Sequence, residues 1–228
     1  MDHILKRIAG YISWSLEETS GKKTTSQIYD GLSHRGKYDA IIAYDTRVNV
    51  YRRALFHIPH RYTSVLDLAC GTGAFISSFP QVNDLSIVGV DASRGMLSFA
   101  KKRFGKNKKI RFKKSDFMSL KFPAQSFDLI TMGNAIRFIP KGGEEKFFRT
   151  ISKLLTKNGT FLVIETDVFN FPLKNFFNTR FTKGSNMSIR IPKNFIHVAK
   201  PHLTLYRRKF VGIQALVFHT NAYYFRKN

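Results

Sequence analysis

The sequence predicts an α/β protein built on a twisted, mostly parallel sheet with helices on both faces. Three observations carry this expectation. Short apolar runs alternate with stretches of helical period from Ser64 onward. The first run, Val65–Leu68, breaks into a Gly-x-Gly turn at Gly71 and Gly73, the form of a strand, a tight turn and a helix start. The next run, Ile87–Val90, ends in Asp91, about 20 residues beyond that turn. A doubly wound sheet places there the carboxylate that receives ribose hydroxyls.

Strands are expected at 64–69, 86–91, 110–114, 127–132 and 160–165, with helices near 73–79, 93–104 and 142–156. The last helix carries Phe147, Phe148, Ile151, Leu154 and Leu155 on one stripe, and Gly159 lies just past its end. Two β-rich runs, 203–211 and 214–225, joined across Gly212, have the pattern of a closing antiparallel hairpin, which brings the sheet to seven strands. Ahead of the sheet, Ile4, Leu5, Ile8, Tyr11, Ile12 and Leu16 recur at helical spacing with Lys6 and Arg7 between them. Such an amphipathic helix packs on its own domain or lies on a lipid surface. Residues 21–26 form a polar connector, and Tyr51, Leu55 and Ile58 continue a helix that stops at Pro59. Residues 166–200 have no clear period and interleave aromatics with bases.

At 228 residues the chain is long enough for one well-buried domain. Its formal charge of +23 attracts anions, whether nucleic acid, an acidic membrane or a phosphorylated substrate, unless it is only a solvated lysine-rich surface. The single cysteine, Cys70, excludes an internal disulfide and points to a reducing compartment. No run of about 18 apolar residues is present, and Met1-Asp2-His3 does not open a secretory signal. The expected location is cytoplasmic, with peripheral contact at an anionic membrane left open. The few acids fall at strand ends: Asp67, Asp91, Asp116, Asp128 and Glu165. No metal ligand set is assigned.

The stretch Val65-Leu66-Asp67-Leu68-Ala69-Cys70-Gly71-Thr72-Gly73 closely resembles the first motif of class I S-adenosylmethionine-dependent methyltransferases. The third glycine of the dinucleotide fingerprint would fall at Ile76 and no P-loop lysine follows, so pyrophosphate is not the expected ligand. The resemblance implies a Rossmann-like class I fold, with S-adenosyl-L-methionine as cofactor and S-adenosyl-L-homocysteine as product. It implies that Asp67, Ala69, Gly71, Thr72 and Gly73 serve the amino-acid end, and Asp91 with Ala92 the ribose. Met96 then packs on the adenine, Asp116 beside Phe117 reads its amino group, and Gly133 and Asn134 mark the mouth where sulfonium and acceptor meet. Asp128, at the start of the fourth strand, is given a structural role.

Within the class, the sequence is most similar to the ubiquinone/menaquinone-biosynthesis methyltransferases. The similarity rests on Gly89-Val90-Asp91-Ala92-Ser93, Met96-Leu97, Ile136-Arg137, Phe161–Glu165 and the tail Phe210–His219. Two motifs depart from that family. Its Gly-Leu-Arg-Asn reads Ala135-Ile136-Arg137-Phe138, and its Lys-Pro-Gly-Gly turn reads Thr156-Lys157-Asn158-Gly159. On the acceptor side the candidates are Tyr38, Tyr44 and Arg137, the tyrosines because Tyr38-Asp39 and Tyr44-Asp45 resemble the N-terminal cap of small-molecule methyltransferases. Tyr38, Tyr44, His197 and His202 are available as bases, and none is assigned. The expected organisation is one domain over 1–228: a helical cap over 1–60, a cofactor-binding core over 61–165, and a substrate-side insert with the hairpin over 166–228.

A small aromatic or lipid-like acceptor is favoured over RNA. The basic charge and the aromatic-basic segment 166–200 suggest RNA, but the Asn/Asp-Pro-Pro-aromatic motif of base amino-group methylation is absent after the fourth strand. A non-catalytic partner subunit is the third reading, disfavoured by the intact cofactor residues.

Overall fold

Val65, Leu66 and Leu68 are wholly buried because β1 (Ser64–Leu68) has strands on both edges and helices over both faces. The computed structural model describes residues 24–34, 38–168, 192–214 and 218–228. The other strands are β2 (Ser86–Asp91), β3 (Ile110–Lys114), β4 (Phe127–Gly133), β5 (Leu155–Val168), β6 (Leu203–Gln214) and β7 (Phe218–Lys227), in the order β3-β2-β1-β4-β5-β7-β6. The first five are parallel, and β7 runs antiparallel to both β5 and β6. Around them lie α1 (Thr25–His34), α2 (Tyr38–Ile41), α3 (Tyr44–Leu55), α4 (Ala74–Ser78), α5 (Arg94–Phe104), α6 (Glu144–Leu154) and α7 (Pro192–Ala199). Among the described residues no helix is long and apolar enough to cross a membrane.

Alternation along the strands divides the core in two. Leu66, Ile130, Phe161 and Phe225 join one cluster with Phe147, Phe148, Ile151 and Leu154 of α6, the stripe read from the sequence. Val65, Leu129, Leu162 and Tyr224 join the other with α3 and α4. The sheet starts at β1, winds outward through β2 and β3, then returns to pair β4 on the other edge of β1. That reversal opens a crevice at the carboxyl ends of β1 and β4, where ligands of such sheets bind.

Two boundaries differ from the sequence reading. The fifth strand begins at Leu155 rather than 160, pairing Phe127 with Leu155 and Leu129 with Thr160. Residues 156–159 therefore bulge out of the ladder, and Gly159 belongs to the strand instead of closing the helix. In the tail, Gly212 lies inside β6, which runs on to Gln214, instead of joining two strands. Gly212 has φ 153 at a register shift, and a Cβ there would press on Val50 of α3 at 3.0 Å. The glycine allows a bulge that brings strand and helix together. The amphipathic stretch expected at 4–16 lies outside the described residues, as does most of 166–200.

Asp128 ties β4 to β1 from below. Its Oδ2 accepts from Thr63 N, Ser64 N and both their hydroxyls at 2.9–3.1 Å, and Oδ1 accepts from Thr156 at 3.3 Å. Burial works to raise its pKa, but these donors outweigh it and hold the carboxyl below the ordinary range. Its contribution is therefore present at neutral pH and lost in acid. Asp128→Ala is expected to cost about 1–3 kcal/mol by urea unfolding at pH 7, because several donors lose their acceptor together.

Candidate functional site

The crevice is floored by the turn after β1. Ala69, Gly71 and Gly73 all adopt positive φ, at 52°, 55° and 90°. The two glycines accept this conformation for different reasons. A Cβ at Gly73 would overlap the Phe104 ring of α5, whereas one at Gly71 would meet nothing closer than the Tyr38 hydroxyl at 3.8 Å. Gly73 lets α5 pack against the turn, and Gly71 leaves bare backbone facing the crevice. Ala69 takes the left-handed conformation with a Cβ, which costs about 1–2 kcal/mol, a strain that accumulates at functional sites.

Two carboxylates flank this turn. Asp67, 1% exposed, accepts from the Thr131 hydroxyl on Oδ1 at 2.7 Å, while its shielded Oδ2 has no hydrogen-bond partner. Burial pushes its pKa up to about 8, with the Thr131 bond opposing and Asp91 adding to the rise. Asp91 accepts from Gly71 N on Oδ2 and from Ser93 N on Oδ1, both at 2.8 Å. Burial raises its pKa too, against those backbone bonds. Each Asp91 oxygen keeps a lone pair for a further donor. Cys70 is buried, and burial followed by the charges of Asp91 and Asp67 pushes its thiol well up. It stays protonated and offers no nucleophile.

The N-terminal helices close over the turn through polar contacts. Asp30 of α1 accepts from the Ser93 hydroxyl at 2.6 Å and from Gly95 N at 2.8 Å, tying α1 to the start of α5. Asp39 of α2 accepts from the Thr72 hydroxyl at 2.5 Å and from Arg103 at 2.7 Å. Arg103 also donates to Thr72 O and lies 4.0 Å over the Tyr44 ring. The Tyr44 hydroxyl shares a 2.7 Å bond with Ser77 and donates to Gly73 O at 3.3 Å.

The residues expected from the sequence fall into three groups. Asp67, Gly71, Asp91, Gly133, Asn134 and Tyr38 gather around the crevice, with the Tyr38 hydroxyl above Gly71 and the Tyr51 hydroxyl, bonded to Asn134 at 3.2 Å, against Gly133. Thr72, Gly73 and Tyr44 hold the turn, and Ala92 is exposed beside it. Met96 is packed with Ile28 and Leu32 beneath α1, while Asp116 caps the short turn Phe117–Ser119 and Phe117 stacks edge-on against Phe147. Arg137 pairs with Glu165 at the end of β4 and β5. His197 is exposed on α7, and His202 lies 3.9 Å from Glu145. Among the described residues no three metal-ligating side chains converge.

Sequence reasoning missed Asp30, Arg47 and Tyr51. Arg47 and Tyr51 are four apart on α3, so they share a face. That spacing was legible, but an arginine within a helix ordinarily reads as solvated.

The site fits the amino-acid end of S-adenosylmethionine. An orphaned, shielded carboxylate oxygen suits an ammonium, bare backbone at Gly71 suits close approach, and the remaining lone pairs of Asp91 suit ribose hydroxyls.

Residues 65–159 match the family model described as a methyltransferase domain. A demethylmenaquinone methyltransferase of Lactobacillus johnsonii is 35% identical over 106 residues, covering 44% of this chain and 43% of that protein. A phosphoethanolamine N-methyltransferase of Plasmodium falciparum is 25% identical over 174 residues, covering 72% of this chain and 65% of that protein. The chain thus spans between about half and two thirds of these curated relatives. The solved geranyl diphosphate C-methyltransferase of Streptomyces coelicolor superposes with a TM-score of 0.64 at 12% identity, covering 78% of this chain and 75% of that one, a likeness of fold.

A Cβ at Gly133 would overlap the Tyr51 hydroxyl. Gly133→Ala is expected to displace that ring and destabilise the protein by about 1–3 kcal/mol in urea unfolding. Combined with Tyr51→Ala, the loss should fall below the sum of the two single losses.

Proposed function

We propose that this chain, whose residues 65–159 carry a methyltransferase domain on a class I Rossmann-like fold, transfers the methyl group of S-adenosylmethionine to a small aromatic or lipid-like acceptor. The observation that carries the reading is the constellation of orphaned Asp67, open Gly71 and Asp91 at the point where the sheet reverses. When bound, the cofactor supplies a methyl group already activated on a sulfonium, so the protein's task is alignment and exclusion of water.

Asp67 holds the ammonium and Asp91 the ribose. Tyr38 and Tyr51, on α2 and α3, close the crevice from above. Neither tyrosine serves as a base at neutral pH: burial raises Tyr38 and pushes Tyr51 up to about 12, so both remain hydrogen-bond donors. The rings of Tyr29, Tyr38 and Phe138 meet edge to face at 5.7 and 6.1 Å, an aromatic wall suited to an apolar acceptor. The relatives' names, demethylmenaquinone and phosphoethanolamine, place small molecules among the acceptors of similar proteins.

The +23 charge favours RNA as the second reading. Incubation with methyl-labelled cofactor separates the two. Label in small phenols or lipid extracts supports the first, and label confined to a defined RNA site overturns it.

Cofactor binding gives a proton-linked test. Asp67 has a folded pKa of about 8, above its unfolded value, so the free protein loses stability as pH rises toward 8 and holds a proton there at pH 7. An incoming ammonium displaces that proton. Affinity for S-adenosylhomocysteine should therefore climb with pH up to about 8, with nearly one proton released at pH 7. Calorimetry in two buffers of different ionisation enthalpy reads this release, and Asp67→Asn should abolish it. Asp91→Ala should weaken the same ligand by about 1.5–3 kcal/mol. Unchanged affinity would remove Asp91 from the ribose site.

A further inference from the structure

Arg47 stands in the first turn of α3, beside Tyr38. Its Nε is shielded from solvent and has no hydrogen-bond partner. The groups in electrostatic range are the hydroxyls of Tyr51, Tyr38 and Tyr29, and a second cation, Arg137. Burial keeps Tyr38 and Tyr51 protonated at physiological pH, so neither offsets the charge. Arg137 is engaged by Glu165, whereas Arg47 makes no ion pair among the described residues.

The neighbours fix where this cation lies. Tyr38 reaches to 3.8 Å of the Cβ position of Gly71 on the β1 turn, and Tyr51 meets Gly133 and accepts from Asn134 at 3.2 Å at the end of β4. Arg47 lies against the Tyr38 side chain and in electrostatic range of Tyr51. It is thus held near the two strand ends. Asp67, with its own orphaned oxygen, also acts on Tyr51 electrostatically. A shielded cation without a counter-charge is unfavourable, and such groups persist where a ligand completes them. A guanidinium presents its donors in a planar fork matched to carboxylate and phosphate.

We propose that Arg47 binds an oxyanion, a carboxylate or phosphate, on a molecule lying between the Gly71 turn and Gly133–Asn134. The proposal rests on the methyl-transfer reading for what else occupies the crevice. The oxyanion has two sources. One is the carboxylate of the cofactor's amino-acid end, whose ammonium Asp67 receives, so that Asp67 and Arg47 bracket a zwitterion. The other is an acidic group on the acceptor.

The test titrates wild type, Arg47→Met and Arg47→Lys, each checked for folding by thermal melting. The ligands are S-adenosylhomocysteine, 5′-methylthioadenosine (which lacks the amino-acid end), phenyl phosphate and benzoate. The acidic probes are added to free protein and to protein saturated with S-adenosylhomocysteine. If the cofactor is the source, Arg47→Met lowers affinity for S-adenosylhomocysteine by about tenfold or more and leaves 5′-methylthioadenosine within about twofold. If the acceptor is the source, nucleoside binding is unchanged and the acidic probes lose about tenfold on the loaded protein. Arg47→Lys should recover part of the loss, since it restores charge without the fork. The proposal is overturned if folded Arg47 variants bind every ligand as wild type does. Wild-type protein that binds neither nucleoside refutes the methyl-transfer reading instead, and the acidic probes on free protein then judge Arg47 alone.

Discussion

The hydrogen bond from Gly71 N–H to Asp91 Oδ2 is the contact on which the rest of the crevice depends. It joins the turn after β1 to the end of β2, and it directs an amide that would otherwise be an orphan donor. Because Asp91 also receives Ser93 N, the same carboxylate starts α5, whose Phe104 ring then fills the space that only a glycine at 73 leaves open. One buried acid thereby sets the turn, the helix after β2 and the bare backbone at Gly71. Beside it, burial first and the nearby Asp91 second give Asp67 a raised pKa, and one of its oxygens is unfilled.

The roof carries both signs of charge. Arg103 and Arg47 come from α5 and α3, and Asp30 and Asp39 bring α1 and α2 onto the same turn. These contacts are few, polar and partly exposed, whereas the sheet below is sealed by two apolar clusters. Among the described residues, α1 is anchored by the small apolar cluster of Ile28, Leu32 and Met96, with Tyr29 and Tyr38 packed against it. A floor fixed by core packing and a roof fixed by a handful of polar bonds differ in the free energy needed to open them. The same contrast suits a site that must admit a ligand and then exclude water.

Met96 shows how one residue can satisfy two readings of a motif. Its position after Asp91-Ala92-Ser93-Arg94-Gly95 resembles that of an adenine-packing methionine, yet its side chain is 1% exposed and lies under α1. The methionine joins roof to floor, so any contact with an adenine would come from the edge of that packed unit. Asp116 similarly spends one oxygen capping the turn at Phe117–Ser119.

The sequence by itself determined the parallel sheet, the order of its elements and the acids at its strand ends. Each of these follows from short-range rules: apolar period, glycine where φ is positive, and a carboxylate at a strand terminus. The stripe on α6 and the turn at Gly71 and Gly73 were legible for that reason. The tertiary structure decided what those rules cannot reach. Whether Gly212 ends a strand or bends it depends on Val50, more than 150 residues earlier in the chain. Whether residues 156–159 turn or bulge depends on pairing with β4. Arg47 reads as a solvated helix cation until α3 is packed near the ends of β1 and β4, where its Nε is shielded and without a hydrogen-bond partner. Burial and electrostatic range are properties of distance in space, and spacing along a chain does not encode them.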